Sequence, residues 1–229
     1  MNSPYLEALK ERALIFDGAM GTSIQTYDLS AEDFGGATYE GCNDYLVITR
    51  PDVIREIHRS FLAVGCDVLE TDTFRSNRHT MREYELQERV LEINEAAARL
   101  AREVADEFAT PDRPRFVAGS IGPTGMLPST NDPLLSNITY AELVEIFQEQ
   151  ATGLLRGGVD ALLIETSQDI LEVKAAIAGL HRACEAEGRR VPIQAQVSLD
   201  TSGRMLLGTD VGATLAILEP LGIDIIGIN

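Results

Sequence analysis

The chain has 229 residues, 45% of them hydrophobic, which is enough to bury one sizeable core and makes one large α/β domain the default. Its formal charge of −17 repels phosphates and argues against a nucleic-acid partner. No apolar run approaches the roughly 20 residues needed to span a bilayer, which excludes a membrane helix.

The stretch Met1 to Arg12 carries Glu7, Lys10, Glu11 and Arg12 and lacks the apolar centre of a signal peptide. Ala13–Phe16 is the first predicted strand, and Asp17-Gly18-Ala19-Met20-Gly21-Thr22 follows it. A carboxylate at a strand end, with glycine next, leaves backbone N–H groups free for a small ligand. Glycine there admits close approach and a positive φ. A long loop from Thr22 to Asn43 comes next. The spacing of Val53, Ile54, Ile57, Phe61 and Val64 predicts a helix over Pro51 to Val64, opened by Pro51 and ended by Gly65. His58 falls on this helix and His181 on a later one, and each is expected at the surface or with its hydrogen bonds met.

The second strand, Asp67–Thr71, runs into Glu70-Thr71-Asp72-Thr73-Phe74. A helix is predicted over Gln87 to Phe108, then a strand at Arg115–Gly119 and a second long loop, Pro123 to Asn137. Thr139-Tyr140-Ala141-Glu142 reads as a capping box opening a helix to Leu155, before Gly157-Gly158. The fourth strand, Ala161–Glu165, ends in Glu165-Thr166-Ser167-Gln168-Asp169. Helices follow over Asp169 to about Glu187 and Asp210 to Leu218, separated by the strand Pro192–Val197, and Ile223–Ile228 is the last strand.

Near-continuous apolar strands alternating with helices mean right-handed βαβ units and a parallel sheet. A doubly wound open sheet and a (β/α)₈ barrel both fit that pattern. Candidate functional residues sit at the C-terminal ends of several strands, and a barrel gathers such ends around one mouth. The fold class is therefore read as α/β, a TIM barrel. About six of its eight βα units are recognised, so the chain reads as an incomplete barrel domain over residues 1–229.

Cys42, Cys66 and Cys184 are scattered and form no C-x-x-C pair, which fits a reducing cytoplasm and no disulfide framework. Nothing in their spacing converges on a metal. Gly18-Ala19-Met20-Gly21-Thr22 lacks the lysine of a P-loop and the third glycine of a dinucleotide fingerprint. No histidine lies at a strand end, so Ser-His-Asp hydrolysis is not served.

Asp17-Gly18-Ala19-Met20-Gly21-Thr22, the strand ends at Glu70-Thr71-Asp72-Thr73-Phe74 and Glu165-Thr166-Ser167-Gln168-Asp169, and the closing Gly227-Ile228-Asn229 together resemble the homocysteine S-methyltransferase family. Asn43-Asp44 before Tyr45-Leu46-Val47, and Gly122-Pro123-Thr124, are similar to its cobalamin-dependent branch. Arg75 and Thr166 stand where a betaine-binding branch would be expected to carry an aromatic cage. Asp72 departs from the branch, which commonly has asparagine there. The resemblance covers Ala13 to the last residue and implies substrate contacts from Asp17, Gly18, Ala19, Thr71 and Glu165. Chemistry agrees with that implication. An ammonium calls for carboxylates such as Asp17 and Glu165, and a carboxylate calls for the N–H and hydroxyl donors of Gly18-Ala19 and Thr71.

The resemblance further implies methyl transfer from methylcobalamin to the homocysteine thiolate, giving methionine, with zinc bound by three cysteines. The first of those should follow Gly227-Ile228-Asn229 directly, and none of the three cysteines present matches. The zinc ligands are therefore expected after Asn229, and residues 1–229 alone are expected to be inactive. Modules for methylcobalamin and methyltetrahydrofolate are expected on the same polypeptide. A catalytically silent amino-acid-binding or interaction protein is one alternative. A metal-free barrel lyase using Asp17 and Glu165 as acid and base is another.

Overall fold

A computed structural model describes residues 3–229; the charged N-terminal stretch read from Met1 begins outside them. The strands are β1 Val68–Glu70, β2 Phe116–Ile121, β3 Ala161–Ser167, β4 Ile193–Val197 and β5 Ile225–Ile228. The α-helices are α1 Pro4–Glu11, α2 Met20–Gln25, α3 Leu46–Thr49, α4 Pro51–Val64, α5 Val90–Phe108, α6 Tyr140–Gly157, α7 Ile170–Ala186 and α8 Val211–Leu218. All strand pairs are parallel, and their spatial order is their chain order, β1-β2-β3-β4-β5. A doubly wound sheet reverses direction part-way across; this sheet does not. Its two edges also meet at one cavity, which Asp17 before β1 and Asn229 after β5 both line. The sheet is a singly wound, curled TIM-type array.

The expected first strand, Ala13–Phe16, is reduced to a single bridge from Phe16 to Val68. It lies at an edge, with Ile15 60% exposed, and part of its ladder is diverted to a side chain. Asp67 and Val68 donate their N–H groups to Ile15 O at 2.6 and 3.1 Å, and Asp17 N–H donates to Val68 O at 2.9 Å. Ile15 N–H instead donates to the Asp67 carboxylate at 3.1 Å.

Helix ends follow their predicted signals. α4 ends at Gly65 with φ 106°, a left-handed conformation that favours glycine. α6 opens on the reciprocal Thr139–Glu142 capping box and closes on Gly158 at φ 100°. Asp169 and Asp210 cap α7 and α8 through their side chains. α1, α2 and α3 were not predicted, and α2 occupies the start of the long loop after Thr22.

Strand side chains alternate between two cores, as a two-residue period requires. Leu69, Val117, Leu162, Ile164, Ile193 and Ala195 pack outward beneath the helices. Val68, Phe116, Ala118, Ala161 and Leu163 point inward, where Tyr5 of α1 joins them. Tyr5 meets Phe116 edge-on at 5.5 Å and donates its hydroxyl to Gln194 at 3.0 Å. Helix α1 thus plugs the end of the array opposite the functional strand ends.

Asp67, 2% exposed, anchors that same end. Arg12 grips it through two bonds of 2.7 and 3.1 Å, with Arg113 at 3.4 Å and Arg115 at 3.3 Å. Burial pushes its carboxyl up, but the hydrogen bonds from Arg12 and Ile15 and the arginine charges outweigh this and hold it below the usual range. Asp67→Asn leaves the buried Arg115 without its counter-charge. It is expected to lower stability by about 3 kcal/mol, as when one partner of a buried pair is removed, read as a fall in urea midpoint at unchanged m-value.

Candidate amino-acid-binding site

The C-terminal strand ends surround a cavity of about 470 Å³. The predicted residues Asp17, Gly18, Ala19, Thr71 and Glu165 all line it, together with Glu70, Ser120, Gln196 and Asn229. One face is acidic. Inward alternation puts Glu70 at the end of β1, Ser120 near the end of β2 and Glu165 on β3 at neighbouring levels.

Asp17 accepts the Glu70 N–H on both carboxylate oxygens, at 3.1 and 3.2 Å. Burial pushes its carboxyl up to about 7; the Glu70 N–H pulls the other way, and the Glu165 charge adds to the rise. Glu70 itself is pushed up to about 8, by burial first and then by the charges of Glu165 and Asp17. Glu165 is raised by burial, partly offset by the Ser120 hydroxyl, which donates to it at 2.5 Å. Asp44 and Asp72 line the cavity as well, so five carboxyl groups share one mouth, and Asp17, Glu70 and Glu165 act on one another's charge. Arg75, the arginine on the wall, spends its guanidinium on Glu83.

Glu165 is aimed by an irregularity. The β3–β4 register shifts between Ile164 and Ser167, and Thr166 adopts φ 60°. A β-branched residue in the left-handed region is strained, and such bulges re-aim neighbouring side chains. Asn229 steadies the bulge by donating its amide to the Thr166 hydroxyl at 2.8 Å.

Of the two reasons expected for Gly18, the positive φ does not hold, and packing supplies another. Its φ is not positive; a Cβ there would lie 2.9 Å from the Phe61 ring. The turn is seated on α4, and α2 begins two residues later with no side-chain cap over its first N–H groups. Thr71 lies on the wall, but its hydroxyl is already placed. It accepts the Ser120 N–H at 2.9 Å and lies 2.6 Å from Thr73 Oγ1. Thr73 donates to Ser120 O at 2.7 Å, so the Thr71 proton is the one left to bridge the two hydroxyls.

Two residues were missed in the sequence. Glu70 was quoted within its motif without a role; its place one residue before Thr71, on the inward phase of β1, was the available signal. His58 was expected at the surface or satisfied, and it is neither. It is wholly buried with both ring nitrogens unpartnered, because it lies on the face of α4 that packs under the Asp17 turn. His181 does find a partner, in Leu221 O at 2.8 Å.

Asp72, the departure from the family pattern, is buried with one oxygen unpartnered. Burial, then the neighbouring Asp44, drives its carboxyl well above the usual range. Asp44 accepts the Arg75 N–H at 2.9 Å and the Ser76 hydroxyl at 3.1 Å, so Asp72 is the member that keeps its proton. A protonated Asp72 is uncharged, as the expected asparagine would be. The three cysteines are buried and unpaired, and among the described residues no group of three or more His, Cys, Asp or Glu is arranged to hold a metal.

The TIM-type array gathers its strand ends, acidic and amide-rimmed, around one cavity of small-molecule size. The sequence profile of homocysteine S-methyltransferases matches residues 14–229, and the chain belongs to that family. Methionine synthases of Mycobacterium tuberculosis and Mycobacterium leprae are 44% and 43% identical to it over 224 residues. That alignment takes in 98% of this chain and 18% of each relative, so the chain spans about a fifth of their length. The metallated and oxidised forms of the homocysteine methyltransferase MmuM from Escherichia coli superpose with TM-scores of 0.80 at 19% and 20% identity. They cover 99% and 100% of this chain and 78% and 77% of their own, a likeness of fold.

Glu70 keeps its proton to about pH 8 in the folded chain but only to about 4.3 when unfolded. The folded state therefore binds that proton more tightly. This contribution is fully present below about pH 4, falls as pH rises and is gone above about 8. The stability of Glu70→Gln relative to wild type should rise across that window and level off above it, as checked by urea unfolding at a series of pH values.

Proposed function

We propose that residues 1–229 form the homocysteine-binding part of a zinc- and cobalamin-dependent methionine synthase. The observation that carries this reading is the cluster of Asp17, Glu70 and Glu165, buried at one mouth beside a turn with free N–H groups, in a chain of this family. The cluster suits an ammonium, whose charge stabilises carboxylates that burial otherwise neutralises. Asp17 and Glu165 accept from the ammonium, and Glu70, the carboxyl that holds its proton to higher pH, lies beside them. The Gly18-Ala19 turn donates to the substrate carboxylate, while Thr71 shapes the wall and ties β1 to β2. A substrate clamped at both its charged groups is positioned before reaction, which removes much of the entropic barrier to transfer.

Zinc belongs to this reading as the group that would lower the thiol pKa. Among the described residues no group is arranged to form its site, and family resemblance puts the cysteines beyond Asn229. Asn229 lines the same cavity as the clamp, so ligands there would adjoin the bound amino acid. Methylcobalamin as donor, methyltetrahydrofolate as its source, modules for both on one longer polypeptide and a cytoplasmic location complete the proposal. The length of the mycobacterial relatives supports it.

Asp17→Asn and Glu165→Gln each remove one charged partner of the ammonium. Each is expected to weaken homocysteine binding by about 1.5–3 kcal/mol, the worth of a hydrogen bond to a charged group, measured by calorimetry. In the longer polypeptide the same variants should raise KM and leave zinc content unchanged. Wild-type affinity in both would defeat the assignment.

A further inference from the structure

His58 has no role in the clamp as drawn, yet its placement demands an explanation. It is 0% exposed, and neither ring nitrogen has a hydrogen-bond partner. Each such unmade bond costs about 1–3 kcal/mol, and native interiors leave few of them. Its Nδ1 lies 3.9 Å from Asp17 Oδ2, a carboxylate whose side chain is only 3% exposed. That separation is about 1 Å too long for a hydrogen bond. Functional hydrogen bonds are often long before the ligand arrives and tighten in the complex.

The charged neighbours of His58 on its own helix are engaged elsewhere. Arg55 and Arg59, its neighbours on α4, pair with Glu103 and Glu107 of α5 at 3.0 and 2.8 Å on exposed surface. Phe61, one turn along α4, packs against Gly18 and fixes the spacing between the helix and the Asp17 turn. From the strand side Asp17 receives the Glu70 N–H, given to both its oxygens. Each carboxylate oxygen can accept more than one bond, so Oδ2 retains capacity toward α4.

We infer that His58 is a positioning residue for Asp17: when an ammonium engages the carboxylate, His58 Nδ1–H donates to Asp17 Oδ2 and holds it toward the cavity. The inference rests on the clamp reading above. An arriving cation favours ionised Asp17, and an ionised carboxylate is the better acceptor. Burial pushes the imidazole down to about 4, so the ring stays neutral. A neutral donor orients Asp17 without competing for its charge, as a lysine or arginine in the same place would.

The test uses this chain, L-homocysteine, calorimetry and NMR of 15N-labelled histidine rings. Saturation should move the His58 Nδ1 signal to that of a protonated, hydrogen-bonded nitrogen, leaving His181 unchanged. His58→Asn, which keeps an N–H near the Nδ1 position, should stay within about threefold of wild-type affinity. His58→Leu should lose about tenfold, or about 1.4 kcal/mol. Its unfolding midpoint should equal or exceed that of wild type, since two unpartnered nitrogens are gone. Weaker binding in a chain no less stable separates positioning from packing. Should His58→Leu not fold, the wild-type spectrum and His58→Asn decide the matter. Wild-type binding with an unmoved His58 signal overturns the inference alone, as does His58→Leu at wild-type affinity or His58→Asn as weak as His58→Leu. No homocysteine binding by wild type overturns the clamp and the inference together.

Discussion

The mouth of the array depends on how one short segment, Leu14 to Asp17, is held against β1. A full strand would hold it with a ladder; here the ladder is a single bridge and a few flanking hydrogen bonds. Asp67 makes up the difference. Its carboxylate accepts the Ile15 N–H while gathering Arg12, Arg113 and Arg115. Two residues beyond Ile15, the Asp17 carboxylate accepts the N–H of Glu70, three residues beyond Asp67. One carboxylate therefore ties the segment at the bottom of the array and a second ties it at the top. Only the second is left short of positive charge.

That asymmetry separates the structural end of the molecule from the functional end. At the bottom, the buried acid has positive charge to spare: three arginines surround Asp67, and Tyr5 fills the interior with its hydroxyl satisfied. At the top, Asp17, Glu70 and Glu165 are buried together, and the wall's arginine is engaged elsewhere. Unmatched buried charge costs stability, and carboxyls raised together in this way concentrate at functional sites. The strained Thr166 belongs to the same pattern, since it serves to aim Glu165.

The sequence made the architecture legible where periodicity and punctuation act together. Pro51 and Gly65 bound α4 at the expected residues, and Thr139 with Glu142 start α6. The parallel, sequential sheet follows from alternation of strand and helix. Edge effects were not legible: Ala13–Phe16 has the composition of a strand, but composition says nothing about how many neighbours it has. α1 carried signals that went unused, in Ser3 as cap and Pro4 at the first turn. At the site, Asp17 and Glu165 were visible because each carboxylate ends an apolar run. Glu70 was obscured by the polar residues that follow it. His58 sits between Ile57 and Arg59, so its burial depends on the exact phase of α4, which one-dimensional spacing resolves poorly.

On the clamp reading proposed above, a mouth that holds a zwitterion needs a wall that mixes groups a simple cation site would not need. Three full negative charges would hold the ammonium and repel the substrate carboxylate. Burial resolves the conflict by leaving part of the cluster protonated near neutrality, with Asp17 pushed up to about 7 and Glu70 to about 8. The negative potential is then set by the ligand: a cation draws protons off the cluster, and its departure lets them return. Asp72 follows the same logic one residue beyond Thr71, its carboxyl held neutral by burial and by the neighbouring Asp44, so that it adds no further charge at the mouth. The wall is acidic in composition, and its charge at neutral pH is smaller than its composition implies.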